Sequence, residues 1–253
     1  MRSLGIFLAV VLSACATVPQ DARNQLAPSG TLRAAINYGN SVLVQRNAAT
    51  GELSGISVDL ARELGSRLGV PVQLISYDAA GKVADAARMA AWDVAFLAID
   101  PKRAEDISFT AAYVIIEGGY MVRNASPLKS ISQVDADGVR IAVGNKSAYD
   151  LYLSRALKHA TIVRAPTSPA AMDLFAKDPS LDVAAGVKNP LVDYAAAHPG
   201  FRVMDGHFML IEQAMGTPSG RPAGARYLRE FIEEMKASGF VAAAIQRAGQ
   251  RDA

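Results

Sequence analysis

Cysteine is nearly absent from this chain of 253 residues: the only one, Cys15, lies close to the amino terminus. No disulfide within the chain can stabilise the fold, so its stability must come from core packing. An excess of charge of one sign is also missing, because the formal net charge is only +2. Without a block of like charges, the sequence predicts no nucleic-acid partner.

Histidine is scarce as well, and its few positions are scattered. His159, His198 and His207 have none of the spacings that are typical of metal ligands. The sequence also lacks the G-x-S-x-G, H-E-x-x-H and P-loop motifs of common enzymes. We therefore expect no metal, no cofactor and no catalytic residue.

Long apolar runs are confined to the start of the chain, MRSLGIFLAVVLSAC. The positive Arg2 and the short apolar stretch after it predict that residues 1–14 are a secretory signal, too short to span a bilayer. The ending LSAC resembles a bacterial lipobox, in which signal peptidase II cuts before the cysteine and Cys15 then carries a lipid. The sequence therefore predicts a lipoprotein in the periplasm or at the cell surface, anchored to a membrane. Ala14-Cys15-Ala16 also fits a site of ordinary signal peptidase, and the alternative is cleavage there, which would discard the cysteine and give a soluble periplasmic protein.

Residues 15–30 are polar and contain proline and glycine, which predicts a tether. After Thr31, short apolar strands alternate with helical patterns. The continuous apolar segment WDVAFLAI indicates a strand that is covered on both faces. It is followed by Asp100 and Pro101, a helix cap and a favoured first helical residue. Strands alternating with helices predict an α/β fold with mostly parallel sheets.

Four segments carry a family resemblance: GELSGISVDLARELGSRLGV, WDVAFLAIDPKRAEDISFTAAYV, GVRIAVGNKSAYDLYL and KASGFVAAAIQRAG. In their order and spacing they resemble bacterial extracellular solute-binding proteins of family 3, the polar-amino-acid type that serves ABC importers. The resemblance runs from about Leu32 to Gly249. It implies the two-lobed periplasmic binding protein type II fold, in which each lobe is a mostly parallel sheet flanked by helices. Two crossing strands form the hinge, and the ligand lies between the lobes.

The same resemblance implies the division of the chain into lobes. Lobe I is expected at residues 31–118 and 214–253, and lobe II at residues 119–213. The crossing strands are expected near Gly118–Val122 and Ile211–Gly216.

In such proteins an arginine clamps the carboxylate of the ligand, and the matching residue here is Arg103, in IDPKRAED. A planar guanidinium donates two parallel hydrogen bonds to a carboxylate. Backbone N–H groups near Ala98 and Ser147 are expected to assist, because Ser147 would open a helix whose N-terminus favours an anion. The alternative is a surface arginine that pairs with Glu105 or Asp106.

Other candidate ligand residues rest on weaker patterns. Asn37 and Asn40 follow the first strand and are candidates for neutral hydrogen bonds to the ligand, although asparagine there is often only a turn former. Lys188 falls, with Val187, where amino-acid binders of this family carry an aspartate. It would either meet a second anionic group of the ligand or remain a solvated lysine.

The half of the site that would hold an ammonium group is missing from the sequence. Phe96 and Ala98 occupy the positions of the family's hydroxyl residues, and Val187 or Lys188 replaces its aspartate. An α-ammonium buried without a carboxylate would be costly. We therefore expect a small carboxylate-bearing solute rather than a standard amino acid.

These observations predict a monomeric binding protein, not an enzyme, that delivers its solute to an inner-membrane ABC permease. One alternative is an interaction or sensory protein on the same fold that has lost its small ligand. A less favoured alternative is an enzyme similar to cyclohexadienyl dehydratases, which share this architecture and use acids in the cleft. The sequence shows no obvious acid for that role.

Overall fold

Strands and helices alternate along the chain in the computed structural model, which describes residues 18–250. The helices are α1 (Gln20–Leu26), α2 (Ile56–Leu68), α3 (Ala80–Asp85), α4 (Pro101–Ala104), α5 (Ala148–Ala156), α6 (Ser168–Lys177), α7 (Lys188–Ala197), α8 (Pro222–Ala237) and α9 (Phe240–Arg247). The strands are β1 (Leu32–Asn37), β2 (Gln45–Arg46), β3 (Leu53–Ser54), β4 (Val72–Tyr77), β5 (Val94–Ala98), β6 (Ile107–Arg123), β7 (Arg140–Gly144), β8 (Thr161–Ala165), β9 (Val183–Val187), β10 (Phe201–Val203) and β11 (Met209–Pro218).

Nine of these strands form one sheet that contains two parallel sets. Its order is β4-β1-β5-β11-β6-β9-β7-β8, with β10 paired to β6. Strands β4, β1 and β5 are parallel, as are β9, β7 and β8. The long strands β6 and β11 lie antiparallel between the two sets and connect them. This confirms the predicted two-lobed α/β fold; we call the part built on β4, β1 and β5 lobe I, and the part built on β9, β7 and β8 lobe II.

The helix boundaries that border the site follow from local sequence chemistry. The carboxylate of Asp100 accepts a hydrogen bond from the backbone N–H of Lys102 at 2.8 Å and caps α4, which begins at Pro101. The hydroxyl of Ser147 caps α5 in the same way, accepting from the N–H of Asp150 at 3.0 Å. Both caps agree with the sequence prediction.

The segment predicted to be a tether is partly helical, and in this respect the prediction is wrong. Ala22 and Leu26 lie four residues apart on one face of α1 and are both buried. The amide oxygen of Gln25 accepts from the N–H of Gly224, which fixes α1 against α8. Polar composition concealed this helix, because two apolar residues are enough to bury one face of so short an element.

Two other elements, α7 and β10, were not predicted. Helix α7 has a single buried residue, Leu191, and so lacks a clear apolar period. Helix α3 begins at Ala80, within a segment rich in alanine. It is followed directly by a 3-10 helix over Ala86–Met89.

Each lobe fixes the start of two neighbouring parallel strands with the same pairing of arginine and aspartate. In lobe I the N–H of Arg33 donates to the carboxylate of Asp93 at 3.1 Å, and the N–H of Asp93 donates to the carbonyl of Arg33 at 2.8 Å. In lobe II Arg140 and Asp182 make the same two bonds, at 2.8 and 3.0 Å. The motif therefore marks equivalent positions in the two lobes.

The lobe I pair carries more charge than its counterpart. The side chain of Asp93 is fully buried and also accepts from the guanidinium groups of Arg33 at 2.8 Å and Arg221 at 2.9 Å. Arg221 immediately precedes α8, so this carboxylate joins the C-terminal helix to the sheet of lobe I. Asp182 is only partly buried, and its carboxylate accepts from the backbone of Arg140.

Replacing Asp93 by asparagine is expected to destabilise the protein strongly, because two guanidinium groups lose their buried counter-charge. We expect Asp93→Asn to lower the free energy of unfolding by about 2–4 kcal/mol. Asp182→Asn, the matched change in lobe II, should cost about 1 kcal/mol because it removes one hydrogen bond to a charged group. Urea unfolding followed by circular dichroism would measure both; equal losses would show that the buried charge of Asp93 is not the cause.

Candidate functional site

A cavity of about 130 Å³ lies between the two lobes, where the carboxyl ends of the parallel strands face each other. Its walls are mostly apolar, and we call it the cleft cavity. Lobe I contributes Asn37, Tyr38, Gly39, Asn40, Ser41, Leu43, Ser57, Ala80, Phe96, Leu97, Ala98 and Arg103. Lobe II contributes Ser147, Ala148, Tyr149, Ser168, Pro169, Met172, Gly186, Val187, Pro190 and Leu191, and β11 contributes Ile211 and Gln213.

Only one of these lining residues is ionised at neutral pH: Arg103. The lining contains no aspartate and no glutamate. The cleft cavity is therefore a mostly neutral, apolar space with one cationic group in its wall.

The guanidinium of Arg103 is held in place without a carboxylate partner. Its Nη1 donates to the carbonyl of Ala98 at 2.9 Å, and its Nη2 donates to the carbonyl of Lys146 at 3.0 Å. The Nε atom is buried and has no partner among the described residues. Glu105 and Asp106, the alternative partners, instead pair with Lys102 and Arg88.

Arg103 is a buried cation, since only 4% of its surface is exposed. Desolvation lowers the pKa of Arg103 to about 10, and the nearby charge of Asp100 opposes this effect. The group is still protonated at neutral pH. A bound anion would offset the free-energy cost of this desolvation. The site therefore favours a negatively charged ligand.

The N-terminus of α5 faces the same cavity. The N–H of Ser147 itself donates to the carbonyl of Gly144 at 3.1 Å, so it is already occupied. The next N–H groups, of Ala148 and Tyr149, belong to the first turn of α5, where a helix provides no acceptor. The backbone donors that Ser147 was expected to supply are therefore those of the two residues that follow it.

Asn37 and Asn40 line the cleft cavity and also shape the loop after β1. The amide oxygen of Asn37 accepts from the N–H of Gly39 at 3.1 Å, and that of Asn40 accepts from the N–H of Val42 at 3.3 Å. Each oxygen thus stabilises a turn. The side-chain N–H₂ groups are the parts of these residues that a ligand would use.

Lys188 does not line the cleft cavity, although its neighbour Val187 does. Its ammonium group pairs with the carboxylate of Glu117 on β6 at 2.6 Å. This pairing and the charge of His207 lower the pKa of Glu117. The structure therefore does not bring Lys188 together with Arg103, because α7 begins at this residue and directs its side chain towards β6.

Gln213 is a cavity residue that the sequence analysis missed. It pairs with Ala98 across β11 and β5, and its side chain lies among apolar neighbours. A polar residue within the apolar run FMLIEQAMG was the available signal. The apolar pattern of this strand predicts only a connection between the lobes, so it does not indicate that Gln213 faces a cavity.

The two lobes contact each other through charged groups at the rim of the cleft. Asp100, which is 4% exposed and follows β5 of lobe I, pairs with Arg155 of α5 in lobe II at 2.7 Å. Asp85 of α3 pairs with Lys146 of lobe II at 2.8 Å. Gly81 lies so close to Lys146 that a Cβ atom on it would be 2.6 Å from the lysine Cβ. The structure therefore shows the lobes in contact, with the cavity between them.

No helix within residues 18–250 is long and apolar enough to cross a membrane. Cys15, the predicted lipid-bearing residue, and the predicted signal lie outside the described residues.

Comparison with solved structures supports the fold assignment. A mutant form of ArgBP from T. maritima superposes with a TM-score of 0.77 at 18% identity, covering 91% of this chain and 100% of that one. An amino acid ABC transporter substrate-binding protein from Streptococcus pneumoniae, bound to L-arginine, gives 0.76 at 17% identity, covering 90% and 98%. An ancestral amino acid-binding protein described as a precursor of cyclohexadienyl dehydratase gives 0.74 at 20% identity, covering 89% and 98%.

The sequence itself identifies the family. No curated protein sequence matches the chain. The model of the bacterial extracellular solute-binding proteins, family 3, matches residues 35–250, which is most of the chain. Together with the two-lobed fold and its cleft, this match shows that the chain belongs to the bacterial extracellular solute-binding proteins, family 3.

Proposed function

We propose that this protein is the solute-binding component of an ABC importer and that it captures a small monocarboxylate with an apolar body. The observation that carries the proposal is the buried guanidinium of Arg103, which faces a mostly apolar cavity and has no carboxylate partner. Its two hydrogen bonds to carbonyl groups fix its position, and the nearby charge of Asp100 compensates its own charge only in part. A ligand carboxylate would supply that charge, and the first-turn N–H groups of α5 would add donors from the other lobe.

An amino-acid ligand fits the cleft cavity less well than a simple acid. Structural neighbours are described as bound to L-arginine or complexed with lysine. Their ligands carry an α-ammonium group, which needs a carboxylate when it is buried. The residues that line the cleft cavity here provide none, and this difference favours an acid without the ammonium group.

The same lining argues against the two alternative functions. An elimination reaction in the cleft would need a proton donor or acceptor, and no carboxylic acid lines the cavity. A protein without a small ligand would have no use for a buried cation whose charge is compensated only in part, because such a cation destabilises the folded state. Capture of an anion explains the charge, the cavity and the family together.

Closure around the ligand is expected to use the charged pairs at the rim. Asp100–Arg155 and Asp85–Lys146 each join the two lobes. The hydrogen bond from Arg103 to the carbonyl of Lys146 adds a third connection, within the site itself. Ligand binding and lobe contact therefore share one residue, which couples them.

The first experiment tests the clamp. We expect wild-type protein to bind 4-methylpentanoate, a monocarboxylate with an aliphatic body, and Arg103→Ala to weaken binding by about 2–4 kcal/mol because a desolvated charge pair is lost. Isothermal titration calorimetry would measure both affinities. Lys188→Ala is the control, since Lys188 lies outside the cleft cavity and should leave the affinity unchanged.

Two outcomes would contradict the clamp proposal. Equal affinities of wild type and Arg103→Ala would remove Arg103 from the site. Tighter binding of leucine than of 4-methylpentanoate by the wild type would show that the cavity satisfies an ammonium group after all. A thermal-shift screen of amino acids, monocarboxylates and dicarboxylates would extend the comparison to other skeletons.

A second prediction concerns the rim. Arg155→Gln removes a charge pair between the lobes, whereas Arg164→Gln removes a similar pair, Arg164–Asp150, within lobe II. In both pairs the aspartate is buried and the arginine is about half exposed. We expect Arg155→Gln to weaken ligand affinity about three- to tenfold and to enlarge the radius of gyration of the unliganded protein in X-ray scattering. Arg164→Gln should lower thermal stability without opening the lobes; the same scattering change in both variants would refute the distinction.

We also propose that Cys15 carries a lipid and holds the protein at a membrane. The proposal is supported by the lipobox-like LSAC and by the absence of any other cysteine from the sequence. Cys15→Ala should move the protein from the membrane fraction to the soluble fraction in its native host or in a Gram-negative expression host. Wild-type protein that is already soluble after fractionation would contradict lipidation.

A further inference from the structure

The side-chain amide of Gln213 lies in the wall of the cleft cavity and is open to it, although only 5% of the residue is exposed. Four buried polar or charged residues line this cavity: Ser57, Arg103, Ser147 and Gln213. Ser57 bonds to Tyr113, Ser147 accepts from the N–H of Asp150, and Arg103 donates to two backbone carbonyls while its Nε has no partner within residues 18–250. The side-chain amide of Gln213 takes part in none of the hydrogen bonds found within residues 18–250, and it is not among the fully enclosed polar atoms.

Gln213 lies next to the proposed clamp. It is paired with Ala98 in the register of β11 and β5. The carbonyl of Ala98 accepts the hydrogen bond from Nη1 of Arg103 at 2.9 Å. Directly paired residues of antiparallel strands have Cβ atoms about 5 Å apart and on the same face. The side chain of Gln213 is therefore long enough for its amide to come near the guanidinium of Arg103.

An amide that is open to a cavity can be solvated, but a ligand that fills the cavity without bonding to the amide leaves it unpaired, which costs free energy. Its neighbours on the same face, Phe96, Ala98 and Ile211, have no side-chain polar atoms. Once a ligand fills the cavity, the partner of this amide must therefore come from the ligand. Because the amide is neutral and can both donate and accept, it matches a hydroxyl or carbonyl oxygen rather than a charged group.

We infer that Gln213 determines specificity by binding an oxygen substituent close to the ligand's carboxylate, so that the preferred solute is a hydroxy- or oxo-monocarboxylate with an apolar body. This inference rests on the proposed function, since it assumes an acid at Arg103. A cavity that holds a buried amide rejects ligands that leave it unpaired, which makes such a contact strongly discriminating.

The test uses four probes with one carbon skeleton: 4-methylpentanoate, its 2-hydroxy derivative, its 2-oxo derivative and leucine. With wild-type protein we expect the hydroxy or oxo acid to bind at least about tenfold more tightly than 4-methylpentanoate. Gln213→Met, which keeps the shape of the side chain and removes the amide, should abolish that preference and raise the affinity for 4-methylpentanoate, which then leaves no amide unpaired. Calorimetry would give all the affinities, and thermal unfolding would confirm that the variant is folded.

A second variant keeps the inference testable if methionine perturbs the cavity. Gln213→Glu has nearly the same shape but places a negative charge beside the ligand. We expect it to weaken binding of all three acids and to raise the affinity for leucine, whose ammonium group would then have a partner. In the wild type, the side-chain amide signal of Gln213 in a ¹H–¹⁵N spectrum should shift more with the hydroxy or oxo acid than with 4-methylpentanoate, because only the former can form a hydrogen bond to the amide.

The outcomes separate this inference from the proposed function. The three acids could bind wild-type protein equally, or Gln213→Met could retain the preference for the hydroxy or oxo acid. In either case Gln213 does not bind the oxygen substituent, and only the further inference is overturned. If leucine alone binds the wild type, the carboxylate proposal fails and the inference falls with it. A preference that disappears with Gln213→Met supports both.

Discussion

Burial of a single cation in the cleft is the constraint around which the rest of this site is organised. A guanidinium with 4% exposure needs fixed hydrogen-bond acceptors, and the carbonyls of Ala98 and Lys146 supply them. One carbonyl belongs to lobe I and the other to lobe II. The position of the charge therefore depends on the relative position of the lobes, and the lobes in turn contact each other through the residue that faces the ligand.

Each lobe is held together by its own strand pairing, and two long strands connect the lobes. The same pairing of arginine and aspartate fixes the start of neighbouring parallel strands in each lobe, through Arg33–Asp93 and Arg140–Asp182. Strands β6 and β11 continue from one lobe to the other, and the register of β11 on β6 shifts near Ala214. Rigid units joined by long strands with an irregular register are suited to hinge motion, because φ and ψ changes are absorbed in a short segment.

Much of the fold could be predicted because its signals are local. The apolar period and a terminal glycine are local signals for α2, which ends at Leu68 and is followed by Gly69 in a left-handed conformation with φ 62°. Arg103 could be found from the IDPKRAED motif. The direction of the Lys188 side chain could not be predicted, because it depends on where α7 begins. Gln213 was hidden for a related reason: whether a polar residue in an apolar strand faces a cavity depends on its partner strand, which the sequence does not name.

The charged rim has a consequence for how the protein works in changing surroundings. The Lys146–Asp85 pair and the arginine of the Arg155–Asp100 pair are about half exposed to solvent. Pairs of this kind are screened when ions are added, while the buried guanidinium in the cleft is screened much less. The dwell time of a captured solute should therefore shorten as ionic strength rises. The protein should hold a bound solute longer when the ionic strength of its compartment falls, and release it sooner when the ionic strength rises.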